Sequence, residues 1–172
     1  MDGRVLPNPG TNAVVGNPPE EYGMEPLSYD QIRKGVYDVH ARIDDMNVNG
    51  IVGSLCFGSI FGFEGGAFIN VENKDHALTL VKAYNDWHID EWCGAYPGRF
   101  IPCAIVPLWD IKLIVEEIQR VVKKGCRAIS FTDNPAAKKL PSLHSDYWEP
   151  LWKICADEGV IICNHIGSGN VP

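Results

Sequence analysis

Residues 100–131 read FIPCAIVPLWDIKLIVEEIQRVVKKGCRAISF, a strand, a helix and a second strand in succession. The first apolar run, Phe100–Leu108, is short and largely without charge, which is typical of a strand buried on both faces. Asp110 can cap a helix, and apolar residues then recur every three or four positions until Gly125, a common C-terminal stop. The run Cys126–Phe131 is the next strand. This succession predicts two parallel strands joined by a helical crossover.

The same alternation of helix and strand continues on both sides of this unit. The pattern predicts, in chain order, a helix from a cap at Ser28 through Met46, a strand at Ile51–Ser59, a helix at about Asn73–Trp92, a helix at about Asp146–Glu158 and a strand at Val160–His165. Four strands, each preceded by a helix, predict right-handed crossovers and a parallel sheet, either open and doubly wound or closed as a barrel. A complete eightfold barrel takes about 250 residues. We therefore expect an α/β fold of the (β/α) TIM-barrel type, incomplete, with about four parallel strands.

The first 27 residues differ from the rest of the chain. They are rich in Pro, Gly and Asn and show neither strand nor helix periodicity. We expect residues 1–27 to form an irregular arm and residues 28–172 to form the partial barrel.

Composition and charge exclude several classes of protein. The 172 residues are 45% hydrophobic and 22% charged, as in a soluble globular domain rather than a disordered tail or a fibre. With 15 basic and 22 acidic residues the formal net charge is −7, so neither a nucleic acid nor a membrane is an expected partner. The sequence shows no leader-like segment and no apolar run long enough to cross a bilayer. The six cysteines form no Cys-x-x-Cys motif, and four lie in apolar runs, which favours buried free thiols and a cytoplasmic location.

Polar residues at the carboxyl ends of strands are the candidates for chemistry, because parallel α/β folds place their active sites there. His165 ends the last strand beside Gly167; it can present a ring nitrogen to a metal or be a core histidine bonded to a carbonyl. Ser59 ends one other predicted strand and Asn134 follows another, and both can contact substrate, although Asn134 also fits a turn before proline. His144 lies in the loop after the third strand, where it reaches the pocket or helps to cap the next helix. The other histidines lie on predicted helices, and we expect structural roles for them: His40, His76 and His88.

Five motifs are AYNDW at residues 83–87, PGRFIPCAIVPL at 97–108, GCRAISFTDNP at 125–135, LPSLHSDYWEPLW at 140–152 and CNHIGS at 163–168. Together they resemble the amidohydrolase-related family, the group that includes aminocarboxymuconate-semialdehyde decarboxylase. The resemblance spans about residues 30–168 and is more specific to the family than to any substrate.

The resemblance implies a metal-dependent eightfold barrel that hydrolyses C–N or C–O bonds or decarboxylates aromatic and related acids without oxidation. In that family a zinc or manganese ion is held by a His-x-His pair on the first strand, a His on the fifth and an Asp on the eighth. His165 matches the fifth-strand ligand, and the four predicted strands become the second to the fifth. No His-x-His occurs in the 172 residues. Because one imidazole cannot hold a metal tightly, the divalent ion is expected in the intact enzyme rather than in this segment by itself.

Two functional hypotheses follow from these features. In the first, the chain is a segment of a metal-dependent hydrolase or non-oxidative decarboxylase acting on a small organic acid or amide, including aromatic or cyclic ones. In the second, it is a non-catalytic half-barrel that associates with itself or with another chain through its open sheet edges. A homo-oligomer and a small-molecule substrate are the expected partners.

Overall fold

The computed structural model describes Pro18 and residues 29–58 and 62–168. The arm expected over residues 1–27 lies outside the described residues except for Pro18, and the helix cap expected at Ser28 also lies outside them. The chain divides into two compact units, Met1–Val52 and Gly53–Pro172.

In the first unit, the described α-helix is α1, at Val39–Val48. Asp38 caps it, because its carboxylate accepts two backbone N–H groups of the first turn, each at 2.9 Å. The prediction of a helix starting at Ser28 is wrong, since two short 3-10 turns precede α1 instead. The chain turns at Gly35 and packs against α1 so closely that a Cβ there would lie 2.2 Å from Oδ2 of Asp45.

The second unit is built on four parallel strands. Hydrogen-bonded neighbours follow the order of the chain: β1 at Ser54–Cys56, β2 at Phe100–Ala104, β3 at Ala128–Thr132 and β4 at Ile161–His165. The predicted four-stranded parallel sheet is confirmed, although β1 is shorter than the run Ile51–Ser59 indicated. Sequential pairing excludes the reversal of strand order that a doubly wound sheet requires.

The described α-helices of the second unit connect these strands. They are α2 at Lys74–Asp86, which continues as a π-helical segment at Trp87–Cys93, α3 at Ile111–Lys123 and α4 at Glu149–Glu158. Asp110 caps α3 through two backbone N–H groups, as the sequence predicted. Gly125 and Gly159, at φ of 89° and 63°, follow α3 and α4 in the left-handed region that ends helices.

The register of the strands assigns their residues to two faces of the sheet. One, the packed face, meets the apolar sides of α3 and α4 through Ala104, Ile129, Phe131 and Ile162. The other, the open face, carries side chains that are 44%, 53% and 66% exposed, those of Leu55, Ile101 and Ile161. The four strands form a curled half-barrel, so the incomplete (β/α) barrel expected from the sequence is confirmed.

In the part of the chain that the structure describes, every helix is too short or too polar to cross a bilayer.

Candidate active site

His165 is the last residue of β4 and lies on the open face, in register with Thr132 of β3. Its ring stacks on that of Phe63, with centroids 3.7 Å apart and planes 11° from parallel. Phe57 meets the same ring edge-on at 5.3 Å. The two aromatic rings fix the plane of the imidazole while leaving the side chain partly exposed at the carboxyl end of the sheet.

A hydrogen bond to the backbone determines which nitrogen of His165 is available. Nδ1 lies 2.8 Å from the carbonyl oxygen of Ile166. A carbonyl only accepts, so Nδ1 must carry the proton and donate it. In the neutral ring the lone pair is therefore on Nε2, and a backbone carbonyl on the opposite nitrogen is the usual support of a metal-binding imidazole.

Asp133, at the carboxyl end of β3, holds the loop that follows His165. Its Oδ2 accepts the N–H of Gly167 at 3.0 Å, and its Oδ1 accepts the hydroxyl of Ser168 at 3.2 Å. The N–H of Asp133 donates to the same hydroxyl at 3.2 Å. Three hydrogen bonds thus join the end of β3 to the loop that follows the candidate ligand.

A cavity of about 500 Å3 lies among three loops at this end of the sheet, formed by residues 62–70, 137–139 and 167–168. Its wall contains a shielded ion pair, in which Nζ of Lys138 lies 2.9 Å from Oε1 of Glu64, and Glu64 is 2% exposed. A Cβ on Gly66 would lie 2.2 Å from that carboxylate oxygen, so a larger residue at position 66 would displace the ion pair. A volume of this size suits a small organic molecule.

Asn85 of α2 fixes the end of β2 beside this cavity. It bonds both backbone groups of Ile105, accepting its N–H and donating to its carbonyl at 2.9 Å each, and donates to Oε1 of Glu117 at 2.7 Å. Asn85 is fully buried and Glu117 is 1% exposed. Ile105 in turn contacts the cavity loop, since a Cβ on Gly65 would lie 3.3 Å from its Cβ.

The other residues that the sequence singled out are Ser59, Asn134 and His144. Ser59 lies outside the described residues. Asn134 is exposed and caps the 3-10 turn at Pro135–Lys138, its Oδ1 accepting the N–H of Ala137 at 3.3 Å. His144 is exposed, and the cap of the next turn is Ser145. The structure thus brings neither Asn134 nor His144 into hydrogen-bond contact with His165.

Within residues 29–58 and 62–168, the one group of three side chains close enough to share a metal ion is Cys56, His88 and Cys93. His165 is not part of it. The described residues therefore offer one imidazole towards a metal at the carboxyl end of the sheet, whereas a tightly held ion needs at least three protein ligands.

We call Cys56, His88 and Cys93 the thiol–imidazole cluster. Cys56 lies on the packed face, because its neighbour Leu55 pairs with Ile101 on the open face, and the cluster is thus separate from His165. Contact with the Cys93 thiol, and then with the nearby imidazole, lowers the pKa of Cys56 to about 5. The same contact raises the pKa of Cys93. All six cysteines of the chain are free thiols.

Comparison with known sequences gives one family. A family model described as Amidohydrolase matches residues 38–172. Comparison with curated proteins finds no significant match.

Comparison with solved structures gives similar folds. One is a mutant of 5-carboxyvanillate decarboxylase LigW2 from Novosphingobium aromaticivorans DSM 12444 with bound manganese and 3-methoxy-4-hydroxy-5-nitrobenzoic acid, at a TM-score of 0.64 and 23% identity. The match covers 82% of this chain and 39% of that one. An amidohydrolase from Mycobacterium avium subsp. paratuberculosis K-10 matches at a TM-score of 0.63 and 25% identity, over 78% of this chain and 35% of that one. The chain thus spans less than half the length of either structure.

Proposed function

Because this chain belongs to the amidohydrolase family, we propose that it forms part of the active-site barrel of a metal-dependent hydrolase or non-oxidative decarboxylase. The observation that carries the proposal is the state of His165, at the end of β4, with its Nδ1 proton donated to a carbonyl. Nε2 is thereby the nitrogen that would bind a divalent ion, zinc or manganese. Such an ion polarises a carbonyl or carboxylate, or lowers the pKa of a bound water towards about 7. Further ligands would come from outside the described residues.

In this proposal the chain's own residues hold and orient the ligand. The carbonyl of Ile166 keeps the proton on Nδ1, and Phe63 shields one face of the ring. Asp133 ties down the loop that follows, so that His165 meets a metal without a further loss of loop freedom.

We propose a small organic acid or amide as the substrate, bound in the cavity whose wall includes Phe63, the residue that stacks on the His165 ring. The cavity volume, about 500 Å3, accommodates one aromatic acid with room for water. Lys138 and Lys139 bring positive charge to its wall, although Lys138 is already paired with Glu64. Ser59, Asn134 and His144 remain the proposed substrate contacts from the sequence; binding by Asn134 would have to coexist with its role as a cap.

A second candidate function rests on the open face. Three apolar side chains there are 44–66% exposed, and covering them with another copy of the chain would remove apolar surface from water. This would be a non-catalytic, self-associating half-barrel.

The test is a metal-dependent assay of the complete protein. Carbon dioxide release from aromatic carboxylic acids and amine release from amides are measured with zinc or manganese, comparing wild type, His165→Ala and the control His76→Ala, which replaces an exposed helix residue. We expect turnover that falls by at least about 1000-fold in His165→Ala only. The 172-residue chain assayed by itself should show none. Metal-dependent turnover unaffected by His165→Ala would contradict the proposal, and no turnover in the complete protein would favour the second candidate.

A further inference from the structure

The thiol–imidazole cluster brings together three side chains from two elements. Cys56 ends β1, whereas His88 and Cys93 lie on the π-helical segment after α2. The two sulfurs and a ring nitrogen lie within 4.8 Å of one another. His88 and Cys93 are 3% and 4% exposed, and Cys56 is partly exposed, so the cluster is buried on one side and reachable on the other.

The π-helical geometry is what aligns the two helical members. At 3.6 residues per turn, residues five apart in an α-helix lie about 140° apart around the axis. In a π-helix, whose hydrogen bonds join residues five apart, the same two positions lie on one face. The segment Trp87–Cys93 is π-helical, so His88 and Cys93 both meet Cys56. Such π-helical turns are rare and occur frequently at functional sites.

His88 has one nitrogen with a partner and one without. Nδ1 lies 2.7 Å from the hydroxyl of Tyr84. Nε2 is buried and has no hydrogen-bond partner. Buried polar atoms are almost always paired, so an orphaned nitrogen beside two sulfurs indicates that a partner belongs there.

We propose that Cys56, His88 and Cys93 form a zinc-binding site that joins the end of β1 to the π-helical segment. Two cysteine sulfurs and one imidazole are a ligand set that selects zinc over harder ions such as magnesium or manganese. A water would be the fourth ligand, on the side of the partly exposed Cys56.

The distances suit this ion. Zinc–sulfur bonds of about 2.3 Å at tetrahedral angles place two sulfurs about 3.8 Å apart. The cluster atoms are separated by at most 4.8 Å, so small rotations of the side chains would bring them onto one ion. Tyr84 would support the imidazole, its hydroxyl oxygen accepting the Nδ1 proton while Nε2 binds zinc.

This site is independent of the proposed active site. It lies on the packed face, whereas His165 lies on the open face. Its ligands are two sulfurs and a nitrogen, and it requires nothing from outside the described residues except water. It therefore can exist whether or not the chain takes part in catalysis.

The first experiment titrates cobalt and then zinc into the reduced, metal-free 172-residue chain. We expect one cobalt per chain, with sulfur-to-cobalt charge transfer in the near ultraviolet and the intense visible bands of a tetrahedral site, displaced by one equivalent of zinc. Cys93→Ser should weaken zinc binding by more than about 100-fold, and Tyr84→Phe, which removes only the partner of a ligand, by about 10–100-fold. Cys155→Ser, which removes a buried thiol outside the cluster, should leave zinc binding unchanged.

The second experiment needs no variant and so does not depend on how well the variants fold. Wild-type chain is alkylated with iodoacetamide with and without one equivalent of zinc, and the modified cysteines are located by mass spectrometry. Zinc should protect Cys56 at least about tenfold and leave the partly exposed Cys163 unprotected. Equal labelling of Cys56 with and without zinc, or a cobalt spectrum without sulfur bands, would overturn the proposal.

Discussion

Asn85→Ala should be among the most destabilising single substitutions in the second unit. The side chain bonds the N–H and the carbonyl of Ile105 and one oxygen of Glu117, all of them buried. Alanine leaves both backbone groups without these partners, at about 1–3 kcal/mol each. Glu117 keeps Arg120 as a partner and loses less. We expect the free energy of unfolding to fall by about 3–5 kcal/mol, a large fraction of a typical domain's stability.

Urea unfolding followed by circular dichroism measures this effect, with Asn73→Ala as the matched control. Asn73 caps the same helix, and its side chain accepts only the N–H of His76. Its loss should cost about 1 kcal/mol. Asn85→Asp keeps the acceptor for the N–H of Ile105 but places a carboxylate where an amide met Glu117, so it should be no more stable than Asn85→Ala at neutral pH. If Asn85→Ala unfolds at the same urea concentration as Asn73→Ala, the amide does not hold the end of β2 as described.

Four further outcomes are expected. Asp133→Ala should speed hydrogen exchange of the Gly167 amide by about 10–100-fold, and unchanged exchange would show that the carboxylate does not hold this loop. Lys138→Met removes the ion-pair partner of Glu64 and should lower the free energy of unfolding by about 3 kcal/mol. Adding Glu64→Gln should restore most of that loss, and a double variant as unstable as Lys138→Met would contradict a shielded ion pair between the two residues. The rate at which iodoacetamide labels metal-free Cys56 should stay high as the pH is lowered and fall only below about pH 5, because the thiolate is the nucleophile. A labelling rate that falls tenfold for each pH unit below pH 8 would contradict the lowered pKa. Because of its open face, the isolated chain should sediment as an oligomer or unfold with low stability, so a monomer that unfolds cooperatively at high temperature would argue against exposed apolar strands.

Local signals account for the parts of the fold that the sequence predicted. The cap at Asp110 and the stops at Gly125 and Gly159 act within one helical turn, so they can be identified without knowing what the helix packs against. The start of α1 could not be found in this way. The apolar spacing runs on through residues that form 3-10 turns, and α1 begins only after the cap at Asp38.

In the candidate site, too, some features have a local sequence signal and others do not. The rule that active residues follow parallel strands selected His165 and its position at the end of β4. The hydrogen bonds and ion pairs around it join residues that are far apart in sequence, such as Glu64 and Lys138, so no local sequence pattern indicates them. Asn85 had a signal that could have been used, because it continues the buried positions Ala77 and Val81 at four-residue spacing. A polar residue in an apolar stripe predicts a buried hydrogen bond.

The thiol–imidazole cluster could not be predicted from spacing. His88 and Cys93 are five residues apart, which fits neither an α-helical face nor a Cys-x-x-Cys motif. The expectation of a structural role for His88 followed from its helical position, and the local change to a π-helix places its ring beside two sulfurs.

The most direct test of the central claim is the position of the metal in a crystal of the complete protein grown with manganese, found by anomalous scattering. We expect a manganese peak within coordination distance of Nε2 of His165, with Nδ1 still bonded to the carbonyl of Ile166. A manganese peak elsewhere in the barrel, with Nε2 of His165 bound to no ion, would contradict the central claim.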